Sequence, residues 1–177
     1  RSLLQWFGGI GIIVLAMAIL PTLQIGGMQL LHMEHDDPYE KTIPKVNRFV
    51  LELFLLYVFL SIICGLLYFT NGMSGFDSVI HAMTTISTGG FSNHDQSFSY
   101  FDSIRIETIS VVFMIIGSLP FVLYLQFIHK QKINLLKDDQ IKLFFILVFT
   151  IVFLTTIWLK INLSNDLFSS FRIAMFN

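Results

Sequence analysis

The stretch Ser87-Thr88-Gly89-Gly90-Phe91-Ser92-Asn93 is the part of this sequence best suited to chemistry, and that chemistry belongs to the backbone. Adjacent glycines end helices and permit positive φ. They also leave carbonyl oxygens uncovered by side chains, free to turn toward one point and replace the water shell of a potassium ion. Ahead of them, Phe76, Val79, Ile80, Met83 and Ile86 recur at three and four residues, with Ser78, His81, Thr84 and Thr85 between. That spacing predicts a helix over 75–87. About twelve helical residues cover about 18 Å, too short to cross a bilayer. The reading is a re-entrant half-helix whose negative C-terminal end faces an ion. A filter at 87–92 follows it, with Ser87, Thr88, Gly89 and Gly90 offering carbonyls to K+. A helix cap is the commoner role of a bare Thr-Gly-Gly. A flat interfacial helix is the blander role of the preceding segment, but it would carry Lys or Arg on its polar face, and this one carries neither.

Other chemistry-bearing residues are less organised. His32-Met33-Glu34-His35-Asp36-Asp37 holds metal-ligand types at a spacing that fits no metal motif, and reads as a solvated turn. Asn162-Leu163-Ser164 fits a glycosylation sequon. Asp77, Asp95 and Asp102 form either a negative vestibule or ordinary solvated carboxylates. His81 reads as a packing or hydrogen-bonding residue. Arg105 and Glu107 are too close to face each other along one helix, which leaves either free to pair with another segment. There is no Ser/His/Asp set, no His-Glu-x-x-His and no pair of acids at membrane depth, so an enzyme is not expected. The single cysteine, Cys64, cannot form an intrachain disulfide.

The elements that must hold the filter are membrane spans. Of 177 residues, 54% are hydrophobic and only 13% charged, with a mean hydropathy of +0.72. Soluble domains are about one quarter charged. Spanning about 30 Å of hydrocarbon takes roughly 20 apolar residues, and residues 3–23, 49–70, 104–128 and 141–159 qualify. In the first, only Gln5 and Thr22 are plainly polar. Gly117-Ser118-Leu119-Pro120 falls inside the third, where proline removes a backbone donor. The resulting kink either widens a path below the filter or serves packing alone. Lys41, Lys45, Arg48, Lys130, Lys132, Lys137 and Lys142 lie in or beside the connections 32–48 and 129–140, whereas 71–103 holds no Lys or Arg. Basic residues collect on the cytoplasmic side, so the first and third connections are read as cytoplasmic and the second as external. The net charge of −1 gives no reason to expect a nucleic-acid partner.

Phe76-Asp77-Ser78-Val79-Ile80-His81-Ala82-Met83 aligns with Phe168-Ser169-Ser170-Phe171-Arg172-Ile173-Ala174-Met175, with Phe, Ser, Ala and Met shared. The chain then reads as a repeated unit of span, half-helix and span. With this repeat in view, Trp6-Phe7-Gly8-Gly9-Ile10-Gly11-Ile12-Ile13-Val14-Leu15 resembles the inner helix that closes the first repeat of TrkH-type potassium transporters. Gly26-Gly27-Met28-Gln29-Leu30 fits the same family, and Ser87-Thr88-Gly89-Gly90-Phe91-Ser92 with His94-Asp95 resembles the filter of its second repeat. The resemblance, to the Trk/Ktr/HKT superfamily, covers nearly all of the chain. It implies an all-α transmembrane fold of potassium-channel-like repeats, each a span, a re-entrant pore helix and a span. Residues 1–31 would close the first repeat, 49–128 make the second, and 141–177 begin the third. It makes Gly89 the filter glycine shared among repeats.

The implied function is the potassium-translocating, multi-pass subunit of an uptake system in the inner or plasma membrane. K+ is the transported substrate and no cofactor is expected. The resemblance further implies four repeats around one pore, a homodimer, and a cytoplasmic nucleotide-binding regulatory subunit. The chain reads as a piece of that longer protein, without the first filter, the rest of the third repeat and its gating loop, and the fourth repeat. A non-conducting helical membrane partner or an intramembrane enzyme is the alternative, but the first has no need of a re-entrant glycine turn and the second lacks catalytic groups. The topology is testable with single cysteines at Asn93 and Asn134 in a Cys64→Ser background. In intact cells an impermeant thiol reagent should label position 93 and spare position 134; the reverse pattern overturns the orientation.

Overall fold

The computed structural model describes residues 1–19, 42–128, 139–163 and 166–176. Nearly all of these are helical, with no strand among them. The chain divides into two compact units, Arg1–Phe101 and Asp102–Asn177.

In the first unit, α1 is Ser2–Ile19, α2 is Thr42–Thr70 and α3 is Gly75–Ile86; a 3₁₀ turn, Ser97–Phe101, closes it. Within α2, Val50–Thr70 is long and apolar enough to cross a membrane. Its Leu51, Leu55, Phe59, Ile62 and Leu66 are more than half exposed, the arrangement expected of a surface whose solvent is lipid. Pro44, within the connection 32–48 read from the sequence, lies in the first turn of α2. There the missing N–H would have no intrahelical partner in any case.

α3 inverts the pattern of a soluble amphipathic helix. Its Ser78, His81, Thr84 and Thr85 are buried, while Phe76 and Val79 are 72% and 53% exposed. The polar face turns inward because partners wait there. The hydroxyls of Tyr68 and Thr85 share a buried hydrogen bond of 2.9 Å. Gly65 of α2 faces Ala82 of α3, where an added Cβ would make an ordinary contact at 3.5 Å. Small residues at such crossings are the usual means by which membrane helices pack.

α1 is pinned to α2 by two hydrogen bonds. Tyr57 Oη donates to Trp6 O at 3.0 Å, and Trp6 Nε1 donates to Ser61 Oγ at 2.9 Å. On its α3 side, a Cβ at Gly9 would stand 2.8 Å from Tyr57 Oη and 3.1 Å from Ser87 Cβ.

The second unit contains α4, Ile104–Ser118, α5, Phe121–Ile128, α6, Asp139–Leu163, and α7, Leu167–Phe176. The third predicted span is therefore two helices, broken at Leu119–Pro120. Tyr124 Oη donates to Ile116 O at 2.8 Å and Ser118 Oγ to Met114 O at 2.7 Å. Side chains thus reach carbonyls near the break. α6 is the second helix long and apolar enough to cross. α7 packs on α6 and on α4. Arg172 of α7 pairs with Glu107 of α4 at 3.1 Å, so Glu107 finds a partner on another segment.

The internal repeat has a structural counterpart. Ser170 and Ala174 of α7 are buried like Ser78 and Ala82 of α3, and Phe168 is exposed like Phe76. Ser78 N donates to Ser74 O, and Ser170 N donates to Asp166 O, so Asp166 stands where Ser74 does. The His32–Asp37 cluster, Ser164 of the sequon, residues 20–23 of the first predicted span, and most of the connections 32–48 and 129–140 lie outside the described residues.

Gly9 sets how closely α1 approaches α2 and α3. Gly9→Ala in the full-length protein should overpack that contact and cost about 1–3 kcal/mol, seen as a lower melting temperature in detergent. Adding Tyr57→Phe removes the nearest clashing atom, so the double variant should melt above the sum of the two single effects.

Candidate functional site

The half-helix starts at a reciprocal cap. Ser74 Oγ accepts from Asp77 N at 3.1 Å and donates to Asp77 Oδ2 at 2.8 Å. The Ser-x-x-Asp spacing is a capping signature, readable from the sequence but not singled out there. The other end closes just as fully. Thr88 N donates to Thr85 O at 3.1 Å and Gly89 N to Thr84 O at 2.8 Å. These are the two bonds of a Schellman cap.

The left-handed residue in that cap is Thr88, with φ 52°, and Gly90 follows with φ 71°. Gly89 has no positive φ, contrary to the expectation that adjacent glycines mark where the backbone must turn left. A β-branched residue in this region is strained, by about 1–3 kcal/mol. Thr88 Oγ1 offsets part of the cost by donating to Ser87 O at 2.8 Å. Gly89 is glycine for another reason. A Cβ there would lie 2.5 Å from Gln5 Oε1 and 2.6 Å from Gln5 Cδ. Gln5 Nε2 donates to Gly89 O at 2.9 Å. Local geometry therefore satisfies the helix-cap reading of Thr-Gly-Gly, while residues 88–90 stay exposed beyond the helix end.

From Gly90 the chain climbs back along α3 and is clipped to it. His81 is fully buried. Its Nδ1 lies 2.8 Å from Asp77 O and its Nε2 2.9 Å from Ser92 Oγ. A carbonyl can only accept, so Nδ1 carries the proton and Nε2 accepts from Ser92. Asn93 Nδ2 donates to Asp77 Oδ1 at 2.7 Å, and His94 Nε2 lies 3.3 Å from the same oxygen. His94 stacks on Tyr100, ring centres 3.8 Å apart. Phe98 and Phe101 stand edge-on to His81. Burial pushes the Asp77 carboxyl up, but hydrogen bonds from Asn93 and Ser74 and the nearby His94 outweigh it and hold it below the ordinary carboxylate value. It is charged at neutral pH, and its ties to Asn93 and His94 weaken only as pH falls through that lowered value.

The three acids of the connection 71–103 thus separate. Asp77 is committed to this network, with a side chain only 13% exposed, whereas Asp95 and Asp102 are exposed. His81 is a hydrogen-bonding residue, as its sequence context suggests. No group of three or more metal-ligating side chains converges among the described residues.

With this geometry in hand, the comparisons are direct. The family described as TrkH, cation transport protein, matches residues 1–173. The chain belongs to the TrkH family. Its family is one of transporters rather than enzymes, and its fold is the all-helical membrane fold of that family. The chain is 37% identical to the Trk system potassium uptake protein TrkI of Halomonas elongata, over 100% of this chain and 36% of that one. It is 40% identical to the Trk system potassium uptake protein TrkH of Escherichia coli, over 89% of this chain and 33% of the relative. The crystal structure of the potassium transporter TrkH from Vibrio parahaemolyticus superposes with a TM-score of 0.82 at 34% identity, covering 99% of this chain and 36% of that one. The chain spans about a third of the length of the TrkH-family relatives it matches.

Two parts of the site were not found by sequence reasoning. Gln5 was visible only as a polar interruption in an apolar span, which is itself a signal. The Asn93 and His94 contacts to Asp77 leave no periodic trace. Asp77→Ala in the full-length TrkH-family protein should release the climbing limb. Hydrogen exchange at residues 91–97 should accelerate about tenfold or more, the expected result of losing charge-assisted hydrogen bonds worth roughly 1.5–3 kcal/mol. Unchanged protection would show that the network does not hold this limb.

Proposed function

We propose that the full-length protein is the potassium-translocating membrane subunit of a K+ uptake system. Ser87, Thr88, Gly89 and Gly90 supply one quarter of a ring of backbone carbonyls around the ion. The observation that carries this reading is a half-helix too short to cross, ending in the exposed segment 88–90, in a chain that aligns throughout with proteins named for potassium uptake.

The physical case is electrostatic. The C-terminal end of α3 is the negative end of its dipole and lies beside the carbonyls. A carbonyl oxygen has two lone pairs, so Gly89 O can accept from Gln5 and still face an ion. The same holds for Ser87 O, which accepts from Thr88. The connection 71–103 carries no Lys or Arg to repel a cation at the entrance, and it exposes Asp95 and Asp102. Placement in the inner membrane, homodimerisation and a cytoplasmic nucleotide-binding regulatory subunit belong to the same reading, on family resemblance.

Gly89→Ser tests it. The new Cβ meets the Gln5 amide, so either the amide or the carbonyl it bonds must shift, and the hydrogen bond that fixes Gly89 O is lost or bent. The full-length variant should discriminate K+ from Na+ about tenfold less well, about 1.4 kcal/mol, with lower rubidium uptake at limiting concentration. Thr88→Ser keeps every carbonyl and should be milder. Unchanged affinity and selectivity in a normally accumulating Gly89→Ser protein would falsify the filter assignment.

A further inference from the structure

We infer that Gln5 is a positioning residue for the filter, its amide fixing the direction of the Gly89 carbonyl from a helix outside the filter's own span–half-helix–span unit. The inference rests on the filter reading above. Gln5 Nε2 donates to Gly89 O across 84 positions of sequence. The other end of the amide is unusual: Gln5 Oε1 is buried and has no hydrogen-bond partner among the described residues.

An amide whose oxygen is buried and unpaired is a poor stabiliser, because that oxygen has lost water and gained nothing. A leucine or methionine would fill the same space without that loss. Packing therefore does not account for the side chain, and its N–H aimed at a single carbonyl does. The fit is close, with Gly89 stripped of any Cβ where the amide passes.

α1 presents this donor from a fixed position. Gln5 and Gly9 are four residues apart, on one face of the helix. Gly9 meets Ser87 and Gln5 meets Gly89, so one face of α1 grips both ends of the Ser87–Gly89 segment. Trp6, between them, anchors the helix to Tyr57 and Ser61. A carbonyl held this way cannot swing freely to follow a smaller ion, which makes Gln5 a determinant of K+ over Na+ selectivity. Any displacement of α1 is passed to the filter through the same bond.

The test uses the full-length protein, rubidium uptake, and competition by K+ and Na+. Gln5→Met keeps the volume and loses the donor. It should accumulate and melt like the parent while the ratio of K+ to Na+ affinity falls about tenfold. Gly89→Ala alone should impair uptake, and Gly89→Ala with Gln5→Ala should recover part of it, because the clashing amide is gone. An unchanged affinity ratio in Gln5→Met, or no recovery in the double variant, overturns the role of Gln5. The two readings separate cleanly. Loss of selectivity in Gly89→Ser without loss in Gln5→Met removes this inference and leaves the filter standing. If no Gln5 variant accumulates, an experimental structure of the full-length parent in potassium decides. An amide beyond about 4 Å from Gly89 O, outside hydrogen-bond reach, overturns the proposal, and one within hydrogen-bond distance upholds it.

Discussion

A backbone that leaves the helical ladder among buried residues must find its hydrogen bonds within the protein, and this constraint organises the first unit. α3 ends on the buried residues Thr84, Thr85 and Ile86. The bonds from Thr88 N and Gly89 N to Thr85 O and Thr84 O close that end. The cost is a threonine in left-handed geometry. Beyond the cap, Ser87 O and Gly89 O take side-chain donors from Thr88 and Gln5, and the returning limb is tied to α3 through Ser92, Asn93 and His94. The irregular segment is thus held at its base by α1 and above by the first two turns of α3.

The same constraint explains why the polar residues of α3 face inward. In a soluble protein, Ser78, His81, Thr84 and Thr85 would point to solvent. With lipid outside, a hydroxyl or imidazole is better placed where another polar group can meet it, and Tyr68 and Ser92 provide that. Phe76 and Val79 take the outer face. Ile80, Ala82 and Ile86 are buried beside these polar groups, so the inner face is mixed while the outer one is apolar.

Much of this was legible in the sequence because it depends on local pattern. A helix over 75–87 followed from apolar spacing, and the structure sets it at Gly75–Ile86. The glycines correctly marked its end. Their individual roles were not legible. Which residue turns left depends on the register of the cap, and Thr88 occupies the position that composition assigns to glycine. The need for glycine at Gly89 comes from a side chain 84 residues away, and contacts of that separation leave no periodicity to read. Proline marked a disturbance at Pro120, but whether the helix bends or stops depends on which carbonyls find other donors. Here Tyr124 and Ser118 supply them, and the span divides into α4 and α5.

The correspondence between α3 and α7 separates what a short packed helix keeps from what it varies. The two segments differ at four of eight aligned positions, yet both bury a serine and an alanine one turn apart and turn a phenylalanine outward. Between those small residues, Ile173 stands where α3 has His81, and Arg172 where it has Ile80. What the two share is the set of small residues that lets a short helix lie close against its neighbours. What differs is the chemistry each offers. α3 hydrogen-bonds its own returning limb through His81, and α7 makes an ion pair to Glu107. One packing mould thus serves two helices with different tasks in a single chain.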